Sequence, residues 1–387
     1  MNKNFPGKIK NTFKGGFGIY LVWLLVLSLP GTVISQQINC AFQKIDDREI
    51  RILTPADVTD KRREIIQAIW GADRIPDRSD VMVTANIPSP LHPYPVVERV
   101  DKIEIPTHIH LKSDSTAIND VAYLFVPLKR NGRLMIVHHG HACTFKDAQL
   151  GDHGYGMEAS IIAMLTGGYD VLAVFMPQVT ENQCKTSSTD HCALINSDLN
   201  VPNPLSTFGL RLFLEPTIIS LNYLLKNNSY KSVDMMGLSG GGWTTTIVAA
   251  IDLRIKFSFP VAGSLPLYYR YTPYAGDIEQ YLPQFYRDIA GYPELYVLGS
   301  YGKGRMQIQI LNLHDDCCFG QPEHDPNRNY MNDLHTYEQN VKNKLASLGE
   351  KDHYQLVIDT TSQSHQISKF ALHNIILHEL NSQTSTR

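Results

Sequence analysis

From Asp101 to the C-terminus, short apolar runs rich in β-branched residues alternate with stretches whose apolar positions recur at helical spacing. Eight runs read as strands: 102–105, 122–126, 133–138, 170–175, 233–236, 257–261, 307–311 and 354–358. Their alternation with helical segments predicts an α/β domain, with a mostly parallel eight-stranded sheet and helices on both faces. The first two runs are joined by a polar stretch and predict an antiparallel edge. Helical periodicity is clearest over 57–70, 209–226 and 367–380, and Pro216 inside the second predicts a kink.

Three segments break the alternation. Residues 36–100 form an N-terminal extension, expected to pack on the catalytic domain 101–387. Residues 178–205 are polar and read as a rim loop, while 263–305 hold roughly half of the tyrosines and read as a lid. Tyr268, Tyr269, Tyr271, Tyr274 and Tyr281 could present flat faces with polar tips to sugar rings or aromatic acyl groups; the other reading packs them on the core.

The first 35 residues differ from the rest. Lys3, Lys8, Lys10 and Lys14 precede the apolar run Ile19 to Leu27, which fades through Pro30 and Gly31. Small residues at Val33 and Ser35 complete a signal-peptide layout, with cleavage expected after Ser35 and an uncleaved anchor as the alternative. Export permits disulfides among Cys40, Cys143, Cys184, Cys192, Cys317 and Cys318. Joining Cys184 to Cys192 would stabilise their loop by roughly 2.5 kcal/mol. Adjacent Cys317 and Cys318 would form a strained ring, so other partners or free thiols are expected there. The near-balanced net charge of −3 supplies no basic stripe, which argues against a nucleic-acid partner.

The densest chemical signal is Gly237-Leu238-Ser239-Gly240-Gly241, between a strand and the helix-compatible stretch 243–250. A G-x-S-x-G turn there forces the backbone round sharply and leaves the serine hydroxyl exposed. The competing reading is a phosphate site at a helix N-terminus. Upstream, the strand ending at His138 runs into His139-Gly140-His141, where the backbone N–H of His141 could join that of Gly240 as an oxyanion hole. His138, His139 and His141 could instead ligate a metal, but Cys143 and Thr144 stand where such a motif would continue with Asp and His.

A general base is expected after the last strand and before the last helix, where Ser364-His365-Gln366 lies. His373 and His378 fall within the helical pattern, and His353 precedes the strand on the wrong side of the sheet. An acid to orient the base is expected after the penultimate strand, where Asn312 is followed by Asp315 and Asp316. If Asn312 takes a left-handed turn, Asp315 is placed as in G-x-x-D; Asp316 remains the alternative.

From about Asp101 onward the chain resembles the α/β hydrolases, whose motifs are matched by 237–242, His139-Gly140 and His365. The order Ser239, Asp315, His365 is that family's order. The segment 122–127 leading into His138-His139-Gly140-His141 is similar to that of secreted carbohydrate acetyl-esterases and dienelactone-hydrolase-like enzymes, although the dienelactone hydrolases carry cysteine in place of Ser239. The resemblance implies a secreted serine hydrolase that needs no cofactor or metal and acts on small or polysaccharide-borne carboxylic esters. A peptidase of the prolyl-oligopeptidase type is the enzymatic alternative, but the extension before Asp101 is too short for its propeller. A non-catalytic binding module of the same fold is the other alternative; such proteins usually lack a triad member.

Overall fold

A computed structural model of the 387-residue chain describes residues 38–110, 115–141, 156–177, 191–197, 208–270, 276–320 and 330–385. The expected leader, Cys143, Cys184, Tyr271 and Tyr274 lie outside them. Among the described residues no helix is long and apolar enough to cross a membrane.

In chain order the elements are α1 (Pro55–Trp70), β1 (Met82–Thr84), β2 (Val97–His110), β3 (Ser115–Pro127), β4 (Leu134–His138), α2 (Met157–Thr166), β5 (Asp170–Val174), α3 (His191–Ser197) and α4 (Arg211–Asn227). There follow β6 (Val233–Leu238), α5 (Gly240–Ile251), β7 (Ile255–Val261), α6 (Pro283–Tyr286), α7 (Tyr292–Ser300), β8 (Met306–Asn312), α8 (Tyr330–Ser347), β9 (Tyr354–Asp359) and α9 (Leu377–Ser385). The strands form one sheet in the order β1-β2-β3-β5-β4-β6-β7-β8-β9, antiparallel from β1 through β3 to β5 and parallel from there on. This is the expected α/β architecture with nine strands instead of eight. The added strand, β1, pairs Met82 with Glu104 and Thr84 with Lys102, and all three of its residues are exposed, so no buried face marks it in the sequence.

The inner strands read as unbroken apolar runs because both faces of the sheet are covered. Leu134 and Ile136 of β4 point into the core with α4 and α5, whereas Met135 and Val137 point into the core with α2 and the C-terminal helix. Helix α5 sits at the centre and is buried along its whole length. At its C-terminus Arg62 of α1 donates to Ala250 O (3.0 Å), and also to Leu298 O of α7 (2.8 Å), while Arg305 donates to Ala249 O. Two cations thus satisfy the last carbonyls of that helix and complement its dipole. Arg51 adds an ion pair with buried Glu294 at 2.6 Å, and Asp47 accepts from the N–H groups of Tyr268 and Tyr292.

The tyrosines of 263–305 mostly belong to the core. Tyr286 stacks on Tyr292 (4.7 Å between ring centroids), Tyr296 stacks on Tyr354 (5.6 Å), and Tyr269 and Tyr281 are buried. Each hydroxyl reaches a partner, as burial of a phenol requires: Tyr286 accepts from Trp243 Nε1, and Tyr292 donates to Gln280 O.

Both cysteine expectations are overturned. Cys192 is bonded to Cys40, not to Cys184. The N-terminal segment runs beside α3, where Ile38 N donates to Asn196 Oδ1 (2.7 Å), so a partner far away in sequence is the neighbour in space. Cys317 and Cys318 are bonded to each other. Both of their N–H groups donate to Asp315 Oδ1 (2.8 and 3.1 Å), which folds the two residues into one tight turn and brings the sulfurs together.

Candidate active site

The C-terminal ends of β4, β6, β8 and β9 carry the predicted chemical residues on one edge of the sheet. Ser239 follows β6 with φ 59° and ψ −126°, a left-handed conformation costly for a residue with a Cβ. Its N–H donates to Val261 O (3.0 Å) and its carbonyl accepts from Trp243 N (3.0 Å), so the strained turn is held from the sheet and from the helix. A Cβ on Gly241 would fall 2.1 Å from His138 O, and one on Gly140 2.6 Å from Leu238 O and 2.7 Å from Ser239 Cβ. Glycine is required at both places because the 138–141 loop lies directly against the elbow.

That contact sets which amides are available. His139 N donates to Val174 O (2.7 Å), extending the β4–β5 ladder, so it is spent. Gly240 stands first in α5, where an N–H has no acceptor within the helix. The His141 ring lies against Gly240, and its Nε2 is 3.2 Å from both Asp277 and Glu279. The side chain of His141 therefore has a role that its place in the sequence did not reveal. His138 and His139 are buried, and burial lowers them to about 3 and about 4, well below an ordinary imidazole.

His365 follows β9, and its Nδ1 is 2.8 Å from Asp315 Oδ2. The Asp315 side chain is buried; burial pushes its carboxyl up, but the hydrogen bond and charge of His365 and the N–H groups of Cys317 and Cys318 outweigh this and hold it below the ordinary range. Asp316 serves the backbone instead, its Oδ1 accepting from the N–H of His365 (2.9 Å). Asn312 departs from expectation. It ends β8 without a left-handed conformation, and its Nδ2 donates to Ser364 O (3.1 Å) and Gln366 O (2.9 Å), clasping the backbone on either side of His365. Asp359 braces the same loop, accepting from Thr361 N and Thr361 Oγ1 through Oδ1 and from Ser368 Oγ through Oδ2. His373 and His378 are exposed, and His353 pairs with Glu350.

Neither a protein-family model nor a curated protein matches this sequence. Solved structures do. The methylesterase BT1017 is similar with a TM-score of 0.53 at 14% identity, over 84% of this chain, which spans 63% of that protein's length. The glucuronoyl esterase from Solibacter usitatus is similar with a TM-score of 0.51 at 13% identity, over 87% of this chain and 97% of that one. Likeness at such identity reports the course of the backbone, and together with the strand order and the turn at Ser239 it establishes that this chain has the α/β-hydrolase fold.

Proposed function

We propose that the protein is an exported serine hydrolase that cleaves carboxylic esters. The observation that carries the reading is the Asp315–His365 pair at 2.8 Å, which follows β8 and β9 at the same end of the sheet as the strained Ser239 after β6. Ser239 Oγ attacks the ester carbonyl carbon as His365 Nε2 takes its proton. Asp315 keeps the proton on Nδ1, leaving Nε2 as the base, and stabilises the imidazolium that forms. The amides of Gly240 and His141 bind the oxyanion; one such donor is worth about 3 kcal/mol of transition-state stabilisation. Collapse expels the alcohol, which takes the proton from His365. Water then hydrolyses the acyl-enzyme by the same steps in reverse roles, releasing the acid and restoring Ser239.

Asp315 is assigned the role of triad acid because the Asp316 contact is to backbone. The substrate is an ester borne by a sugar or polysaccharide, a class supported by the glucuronoyl esterase that shares the fold. The Cys40–Cys192 bond and the leader-like residues 1–35 support export to an oxidising compartment. The test is hydrolysis of p-nitrophenyl acetate, followed by a panel of acetylated sugars, uronate esters and feruloyl esters. Turnover by the wild type that Ser239→Ala abolishes is expected; turnover by neither, or by both equally, refutes the reading.

A further inference from the structure

Beside the elbow, three segments distant in sequence bring together two histidines and two carboxylates. His141 follows β4, His191 opens α3, and Asp277 and Glu279 lie just before α6. His141 Nε2 is 3.2 Å from Asp277 Oδ2 and 3.2 Å from Glu279 Oε1, while His191 Nδ1 is 3.0 Å from Glu279 Oε2. One donor atom from each of the four lies within 4.8 Å of every other.

Three features suit this cluster to a bound cation. Ligand atoms around a tetrahedral zinc with bonds of about 2.0–2.2 Å stand about 3.3–3.6 Å apart. The two His141 contacts, at 3.2 Å, approach that spacing, and the four donor atoms all fall within 4.8 Å of one another. His141 Nε2 approaches two carboxylate oxygens yet meets neither in hydrogen-bond alignment, as donors do when they converge on a shared point rather than on one another. Glu279 and His191 are buried while Asp277 reaches the surface, and if both imidazoles are neutral the two carboxylates match the charge of one divalent cation.

The surroundings are built to hold the four in place. The His141 and His191 rings pack at 5.0 Å between centroids, His191 lies edge-on to Phe213 at 4.9 Å, and the residue after His191 is tied to Cys40 by a disulfide.

We propose that His141, His191, Asp277 and Glu279 bind one zinc-class divalent ion. Imidazole with carboxylate suits zinc over calcium or magnesium, which favour all-oxygen sites. Bound there, the ion would clamp the loop that carries Gly140 and His141 onto α3 and the 276–280 segment, fixing the wall of the elbow. The ion would touch no reacting atom in the steps proposed for ester cleavage and would bear on them only through the loop whose His141 amide serves the oxyanion, so zinc content is read by itself, separately from turnover.

The test is metal content. The full chain is loaded with Zn²⁺, freed of unbound ion by dialysis and assayed by mass spectrometry, with Ca²⁺ and Mg²⁺ in parallel; Co²⁺ loading of the wild type reads geometry by visible absorption. Retention of one zinc per chain and tetrahedral cobalt bands are expected, with affinity reduced at least tenfold in Glu279→Gln and His191→Ala and kept in His365→Ala. His365 is the control because with Cys317 and Cys318 it forms the other mixed cluster among the described residues. Zinc absent from the wild type without cobalt bands, or zinc lost only in His365→Ala, would overturn the proposal.

Discussion

Asp315 Oδ2 stands 2.8 Å from His365 Nδ1, although 50 residues of chain separate the two. Neighbouring Asp316 faces only the backbone of His365. If orientation and charge at Nδ1 are what the acid supplies, Asp315→Asn should lower kcat on p-nitrophenyl acetate by roughly a thousand- to ten-thousand-fold, since the amide favours the wrong tautomer. Asp316→Asn should cost about tenfold or less, because the amide oxygen of asparagine can still accept from the His365 N–H. Equal losses, or the reverse order, would reassign the acid.

Asn312 acts on His365 through its neighbours, holding Ser364 O and Gln366 O. Asn312→Ala removes both donors inside a buried turn and should lower stability by about 1–3 kcal/mol. Activity should fall through kcat by roughly tenfold or more with little change in KM, because the base shifts while the substrate surface stays. A variant that loses stability but keeps wild-type kcat would show that the clasp only supports the fold.

His138 is fully buried, and burial lowers it to about 3, with the nearby His139 and His141 pushing the same way. In the unfolded chain an imidazole titrates near 6.5. A group whose folded value is depressed binds more protons when unfolded, so its contribution is full above pH 6.5 and is lost as the pH falls toward 3. The stability difference between wild type and His138→Gln should therefore move against the wild type by about 1.4 kcal/mol for each pH unit below 6.5. Chemical denaturation at pH 7 and pH 5 measures it, and using the difference cancels the carboxylates common to both proteins. A constant difference would mean that His138 is not kept neutral by burial.

The Cys40–Cys192 bond closes a loop of 152 residues. Replacing both cysteines with serine should reduce unfolding free energy by about 2–5 kcal/mol. A midpoint matching the wild type in denaturant would show that the N-terminal segment is held to α3 by its other contacts alone.

Much of the fold was legible because its signals are local. All eight expected strands recur, and the six from β4 to β9 lie within about two residues of their predicted bounds because most are short, largely buried runs. Strands β2 and β3 extend well beyond the expected 102–105 and 122–126, to Val97–His110 and Ser115–Pro127, because their outer parts are carried by antiparallel pairing and not by an apolar run. Strand β1 was not, because Met82, Val83 and Thr84 are all exposed and pair only by backbone. At the site, the turn at Ser239 and the positions of Asp315 and His365 follow from strand ends. The clasp of Asn312, the carboxylates facing His141 and the Cys40–Cys192 bond depend on which segments meet in space, and no spacing along the chain encodes that. Cys317 and Cys318 misled for the opposite reason: the rule against bonding neighbours held no information about the carboxylate that gathers their amides.

The central claim is that Ser239 is a nucleophile activated by His365. It is tested most directly by treating the folded protein with a fluorophosphonate and measuring intact and peptide masses. The account predicts one adduct, on Ser239, none in Ser239→Ala, and labelling slowed at least a hundredfold in His365→Ala. An unlabelled wild type, or an adduct on another residue that persists in Ser239→Ala, would contradict it.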